Sequence, residues 1–185
     1  MVCGPTVFGE SGRVVTAYWD IEPTSWYAVY TRARHEKRVA EELARRSIEV
    51  YLPLYETARQ WKNGRHFVQM PLFPGYTFVR MALRNRIFAL RAPGVVDFVG
   101  YGGKPAALEA EEITNLRRAL GQGMKIEPHP FLSEGRKVRV TAGPLTGLVG
   151  IVVRRKGQVQ LVVSVELIQR SVLVEIGAAE LEPHV

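Results

Sequence analysis

The chain carries one cysteine, Cys3, among 185 residues. That excludes an intrachain disulfide framework and a cysteine-rich zinc site, and it leaves redox chemistry without a basis. The four histidines, His35, His66, His129 and His184, are scattered without an i,i+4 pair or companion carboxylates at ligand spacing, so no metal is expected. Nowhere does an apolar run approach the about 18 residues of a membrane span. The N-terminus also lacks a basic start, an apolar stretch and a small-residue cleavage site, and a soluble cytoplasmic chain is expected, without a membrane partner. A Gly-x-Ser-x-Gly elbow is missing. The run Gly100-Tyr101-Gly102-Gly103-Lys104-Pro105 fails as a phosphate loop, because its glycine spacing is short and Pro105 stands where a metal-binding Ser or Thr is needed; it reads as a turn into the last helix of the first domain. No catalytic residue and no cofactor is expected, and the chain is not read as an enzyme.

What is present favours packed cores and surfaces. Hydrophobic residues make up 46% and charged residues 23%, a balance that supports folding. The net charge of +7 is uneven. Residues 26–83 hold ten Lys and Arg against five Asp and Glu, whereas residues 126–185 hold seven against six. A basic N-terminal half concentrates polyanions, so nucleic acid or an acidic protein surface is a plausible partner.

Periodicity divides the chain. Residues 1–25 mix glycine and proline with little pattern and read as a flexible leader. A strand is expected over 26–30 and a helix over 34–46. On that helix Val39, Ala40, Leu43 and Ala44 share one face, and Arg34, Arg38, Glu41 and Arg45 the other. A strand follows over 48–57. Over 59–70, Asn63-Gly64 between strand-forming residues signals a type I′ hairpin tip. Then come strand 76–81, a short helix 85–91 stopped by Pro93-Gly94, strand 95–99 and helix 108–120. The first domain, 26–122, is therefore expected to be α+β, an antiparallel sheet with flanking helices on one side. Residues 123–134 read as a linker, and 135–185 as a small all-β SH3-like barrel with strands at 137–140, 148–154, 158–165 and 171–176.

Leu72-Phe73-Pro74-Gly75-Tyr76 places three large apolar groups around one turn. Periodicity alone leaves open whether they form an ordinary core turn or a surface that something covers. Arg34, His35 and Arg38, with Arg32 before the helix, form a basic face that reads equally as a solvated one.

Trp26-Tyr27, His35-Glu36-Lys37, Leu72-Phe73-Pro74-Gly75-Tyr76, Pro93-Gly94-Val95, Phe98-Val99 and Lys104-Pro105 resemble, in order and spacing, the N-terminal domain of NusG transcription elongation and antitermination factors. Gly135, Val138, Val140, Gly143-Pro144, Gly147, Gly150 and Val152 resemble the KOW signature of NusG tails and of some ribosomal proteins. The resemblance implies an RNA polymerase-binding first domain that docks on the clamp helices of the largest subunit, suppresses pausing and promotes processive elongation. It makes Tyr27, Tyr30, Leu72, Phe73, Pro74, Gly75 and Tyr76 the contact candidates. By similarity to specialised NusG paralogues of the RfaH kind, Arg32, Arg34, His35 and Arg38 become candidates for touching the non-template DNA strand. In the KOW domain Leu167, Ile168 and Arg170 align with the loop that meets Rho or a ribosomal small-subunit protein. There the sequence departs from the usual Phe-Gly-Arg followed by Thr-Pro, reading Ile168-Gln169-Arg170-Ser171-Val172. A monomer is expected. Two other functions stay open: a general NusG that assists Rho-dependent termination, and a ribosome-associated KOW RNA-binding protein.

Overall fold

The computed structural model describes residues 23–62, 64–121, 126–132, 134–143, 145–155, 158–176 and 181–184. Most of the segment read as a leader lies outside them. The elements run β1 (Ser25–Thr31), α1 (Glu36–Arg45), β2 (Glu49–Tyr51), β3 (Leu54–Trp61), β4 (Gly64–Pro71), β5 (Tyr76–Met81), α2 (Arg86–Leu90), β6 (Val95–Phe98), β7 (Gly100–Tyr101), β8 (Lys104–Pro105), β9 (Ala107–Leu108) and α3 (Ala110–Gly121). They continue with β10 (Ile126–His129), β11 (Lys137–Val140), β12 (Val149–Arg155), β13 (Gln158–Val165), β14 (Arg170–Glu175) and β15 (Leu181–Pro183).

The first sheet has the order β2-β5-β1-β6, with β9 also pairing β1, and every pairing is antiparallel. Strand β1 is apolar on both sides, and this decides the layering. Tyr27 and Val29 join Val39 and Leu43 of α1, with Val79 and Phe98, in one cluster. Trp26 and Ala28, pointing the other way by strand alternation, join Phe78 and the Ile113, Leu116 and Ala119 side of α3. Helices therefore lie on both faces, rather than on one as the strand count implied. Helix α1 is set by Val39 and Leu43, both fully buried, while Ala44, assigned to the same face, is exposed. The helix begins at Glu36, not at residue 34, because Arg34 sits at φ 64°, a left-handed conformation no helix continues through.

Among the described residues, strands β3 and β4 pair only with each other, from Leu54↔Pro71 to Trp61↔Gly64. The expected hairpin is there, but Gly64 is its first returning pair, at φ 121°, rather than a turn residue. Asn63 lies outside the described residues. Strands β7 and β8 form a second, minimal hairpin, with Gly102 and Gly103 at φ 56° and 75° between Tyr101 and Lys104. This replaces the simple turn expected at that glycine run, since both central positions of such a loop need positive φ.

The second sheet is all-β and antiparallel, in the order β10-β14-β13-β12-β11-β15. Val138, Val140, Leu148, Leu161, Val163, Val165, Val172 and Val174 are buried in its main core. Its first strand, β10, falls inside the segment 123–134 read as linker. Pro128 masked that strand in the sequence, yet β10 is an edge strand, where a residue without an N–H is tolerated. Helix α3 touches both β1 and β13, and one continuous apolar cluster runs from Trp26 and Phe73 through α3 to the valines of the second sheet. A backbone–side-chain bond joins the same parts: Glu166 N–H donates to Glu112 Oε1 at 3.2 Å.

Candidate functional site

The site is built on the turn between β4 and β5. Pro74 presets the bend and Gly75, at φ 85°, takes the conformation that a type II turn demands of its third residue; Tyr76 N–H closes the turn on Phe73 O at 3.1 Å. Two further bonds hold it. Thr31 N–H donates to Gly75 O at 2.8 Å, and Gly75 N–H donates to Glu36 Oε1 at 2.7 Å. Glu36, part of the His35-Glu36-Lys37 motif but given no role there, is itself buried, so α1 and the turn are locked together through its carboxylate. The signal for it was an acidic residue at the first turn of a helix, a position ordinarily assigned to the helix dipole.

The five-residue motif splits by burial. Leu72 and Phe73 are 1% and 2% exposed, with Phe73 packed edge-on against Phe78 at 5.8 Å between ring centroids. Tyr27 is likewise buried, edge-on to Phe98 at 5.9 Å. These three candidates are core, and the reason is topological: each side chain points off its element into an apolar layer covered by a helix. Pro74 is exposed, and Gly75 and Tyr76 are half-buried. Tyr30 is 47% exposed and lies opposite Tyr76 in the strand register, the two rings 5.5 Å apart and tilted. A Cβ on Gly75 would meet the Tyr30 ring at 3.4 Å, so the ring lies close against the turn.

Together these residues line a groove of about 660 Å³ with the apolar Ala33, Met70 and Pro71 and the polar Arg34, Glu36, Lys37 and Gln69. Arg170, from the start of β14, lines it too. The groove thus combines two aromatic rings with the cations Arg34, Lys37 and Arg170 and the Glu36 carboxylate. Met70, Pro71 and Lys37 were not among the expected contacts: strand β4 carries the first two in, and Lys37 comes from the His35-Glu36-Lys37 motif at the start of α1.

The predicted basic face is brought together beside this groove. Arg32, Arg34 and Arg38 are exposed, and His35 is half-buried with Nδ1 3.0 Å from Ala33 O. Gly94, at φ 97°, packs its backbone on His35 and Val39, where a Cβ would come within 2.9 Å of Val39 Cγ2. The Pro93-Gly94 turn thereby buttresses the basic end of α1. In the second sheet the loop candidates separate: Ile168 is buried, Leu167 half-buried and Arg170 exposed, with Gln169 between them at φ 48°. Ile168 therefore anchors the loop instead of presenting itself.

A second polar cluster sits on the far face of the first sheet. The Arg117 guanidinium lies 4.8 Å from the Trp26 ring centre and 4.9 Å from that of Tyr51, and donates to Glu49 Oε1 at 3.3 Å. Burial pushes the Tyr51 phenol up to about 12, against the opposing pull of the Arg117 charge. Among the described residues, no group of three or more His, Cys, Asp or Glu is placed to hold a metal ion, and no helix is long and apolar enough to cross a membrane.

The model of the family described as transcription termination factor nusG matches residues 24–117, which spans β1 to α3 and the whole groove turn. The chain belongs to the NusG family. It is similar to the transcription termination/antitermination protein NusG of Thermus thermophilus, at 29% identity over 76% of this chain and 89% of that protein. It is similar also to the protein of that name from Deinococcus radiodurans, at 30% identity over 69% of this chain and 81% of the relative. A solved structure described as "Domain interaction in Thermotoga maritima NusG" shares the fold, with a TM-score of 0.54 at 22% identity, covering 86% of this chain and 97% of that one. The relatives are thus transcription factors by name, and the all-β sheet after α3 is consistent with a KOW domain.

Proposed function

We propose that this NusG-family chain binds the clamp helices of the largest RNA polymerase subunit through the Tyr30–Tyr76 groove, suppressing pausing and promoting processive elongation. The observation that carries the reading is the groove itself: two rings held at fixed geometry by the Pro74-Gly75 turn, open to solvent in a molecule whose other motif aromatics are buried. Exposed aromatics at the centre of an apolar concavity, ringed by polar groups, are the usual anchors of an interface, and truncating such an anchor costs about 2 kcal/mol or more. An amphipathic helix pair of acidic character suits a lining that combines Tyr30, Met70, Pro74 and Tyr76 with Arg34 and Lys37.

In this reading residues 26–122 form the polymerase-binding unit and 135–185, extended by β10, the KOW unit that recruits a further factor, Rho or a ribosomal small-subunit protein. Arg32, Arg34, His35 and Arg38 then lie beside the docked polymerase. Sequence-independent contact to a strand gives dissociation constants of only about 10⁻⁴–10⁻⁶ M. Tethering supplies an effective concentration of roughly millimolar, enough to populate such a contact with the non-template strand. A ligand that prefers the closed, elongating clamp shifts the equilibrium toward it by its differential affinity, and no catalytic group is needed.

The experiment is a pull-down of the full chain against RNA polymerase and against its isolated clamp helices, comparing wild type with Tyr30→Ala/Tyr76→Ala. Retained binding by the folded double variant removes the groove from the account.

A further inference from the structure

The outer half of hairpin β3–β4, beyond the Gln69, Met70 and Pro71 that line the groove, is used by nothing described so far. The hairpin's two strands of eight residues pair along their full length with each other and, among the described residues, with no other strand. At about 3.3 Å per residue the arm extends roughly 25 Å from its base. The base is fixed: Leu72 N–H donates to Pro53 O at 2.9 Å, and Leu72 and Phe73 plug into the core just beyond. The outer half is largely exposed. There Trp61 is 59% and Phe67 66% exposed. Among the described residues, neither ring is covered by another element of the fold, so each presents its face to solvent.

The register places the rings on opposite faces of the ribbon. Trp61, with Arg59 and with His66 across the strand, occupies one face; Phe67, with Arg65 and Ala58, occupies the other. On the first face the Trp61 and His66 rings lie 5.2 Å apart, and on the second the Arg65 guanidinium is 5.7 Å from the Phe67 ring centre. Charge is one-sided. From Thr57 to Val68 the sequence has Arg59, Lys62 and Arg65 and no Asp or Glu. Among the described residues none of these three cations takes part in an ion pair.

We propose that this hairpin is a binding arm for a single-stranded polynucleotide, with Trp61 and Phe67 stacking on bases and Arg59, Lys62 and Arg65 meeting phosphates. Rings interleaved with cations are what such a ligand requires: every base has a π-face, and the backbone alternates with it at the spacing of a charged chain. The absence of carboxylates disfavours a basic or mixed-charge protein surface. A duplex hides its base faces inside the stack, so it offers exposed rings nothing to lie against. The site is separate from the groove and stands whether or not the groove binds polymerase.

The test measures fluorescence anisotropy of labelled oligothymidylate, oligouridylate and a matched duplex, each of roughly 15 nucleotides, against the full chain at low salt. Single strands are expected to bind more tightly than duplex, and the stronger of the two single strands identifies whether DNA or RNA is the source. Trp61→Ala/Phe67→Ala is expected to weaken single-strand binding by at least about tenfold, with an unchanged circular dichroism spectrum because both rings lie outside the core. Trp61→Tyr, which keeps a π-face, should hold affinity where Trp61→Leu does not. Arg59→Gln/Arg65→Gln should lower the slope of log affinity against log salt by about 0.7 per cation removed. Single-strand affinity unchanged in the Trp61→Ala/Phe67→Ala variant, equal loss in the Tyr and Leu variants, or duplex binding as tight as single-strand binding would each overturn the proposal.

Discussion

Phe73 separates two accounts of the same motif, and replacing it with alanine tests which holds. The ring is 2% exposed, set edge-on to Phe78 and embedded in the cluster that also contains Leu72, Trp26 and Leu116. Removing a buried phenyl group loses its transfer free energy and leaves a cavity, together about 3–5 kcal/mol in tightly packed cores. The edge-to-face pair with Phe78 contributes about 0.5–1.5 kcal/mol of that cost. An expected loss of about 4 kcal/mol, at a urea m-value of about 2 kcal/mol/M, moves the unfolding midpoint by about 2 M. Phe73→Leu keeps most of the apolar bulk and is expected to cost under about 1.5 kcal/mol. Urea unfolding followed by circular dichroism reads both variants. If Phe73→Ala shifted the midpoint by the equivalent of less than about 1 kcal/mol while eliminating polymerase binding, the side chain would be a surface contact and the burial argument would fail.

Two further outcomes follow from the geometry. Arg34→Ala/Arg38→Ala removes two exposed cations beside the groove, and should weaken DNA binding in a salt-sensitive way, lowering the salt slope by about 0.7 per charge for a single strand, with thermal stability nearly unchanged. Burial raises the carboxyl of Glu112 above its ordinary value, opposed by the hydrogen bond from Glu166 N–H. A raised folded-state value means that the folded chain holds this proton more tightly than the unfolded one. The resulting stability is fully present below the ordinary glutamate range and is lost as pH rises through the raised value. Glu112→Gln should flatten that part of a melting-temperature profile taken from pH 4 to pH 7; an unchanged slope would place the titrating group elsewhere.

Much of the fold was legible because its signals were local. Valine-rich runs between glycine-bearing turns give β11 to β14 nearly to the residue, and Asn63-Gly64 marks the β3–β4 reversal although the first pair closes at Gly64. Strand β10 was hidden because Pro128 reads as a breaker, and only its edge position, a tertiary fact, makes that proline harmless. The helix boundary at Glu36 depends on the left-handed Arg34, which no propensity marks. At the groove, the sequence supplies the turn through Pro74 and Gly75 but not the side on which each apolar group falls. Phe73 and Tyr76 are alike in composition and differ in where the chain aims them: one faces Phe78, the other Tyr30. Glu36, Met70 and Arg170 reach the groove from three separate elements, so their convergence is visible only once those elements are packed.

The most direct measurement of the central claim is the affinity of the full chain for RNA polymerase, with and without Tyr30→Ala/Tyr76→Ala. Tyr30 is already largely exposed and Tyr76 half so, and the double variant should keep its fold by circular dichroism. Two anchors at about 2 kcal/mol each should weaken binding by roughly a thousandfold, beyond detection in a pull-down that captures the wild type. Capture of the folded double variant at wild-type levels would contradict the account, because the groove would then be a surface feature and not the place where polymerase docks.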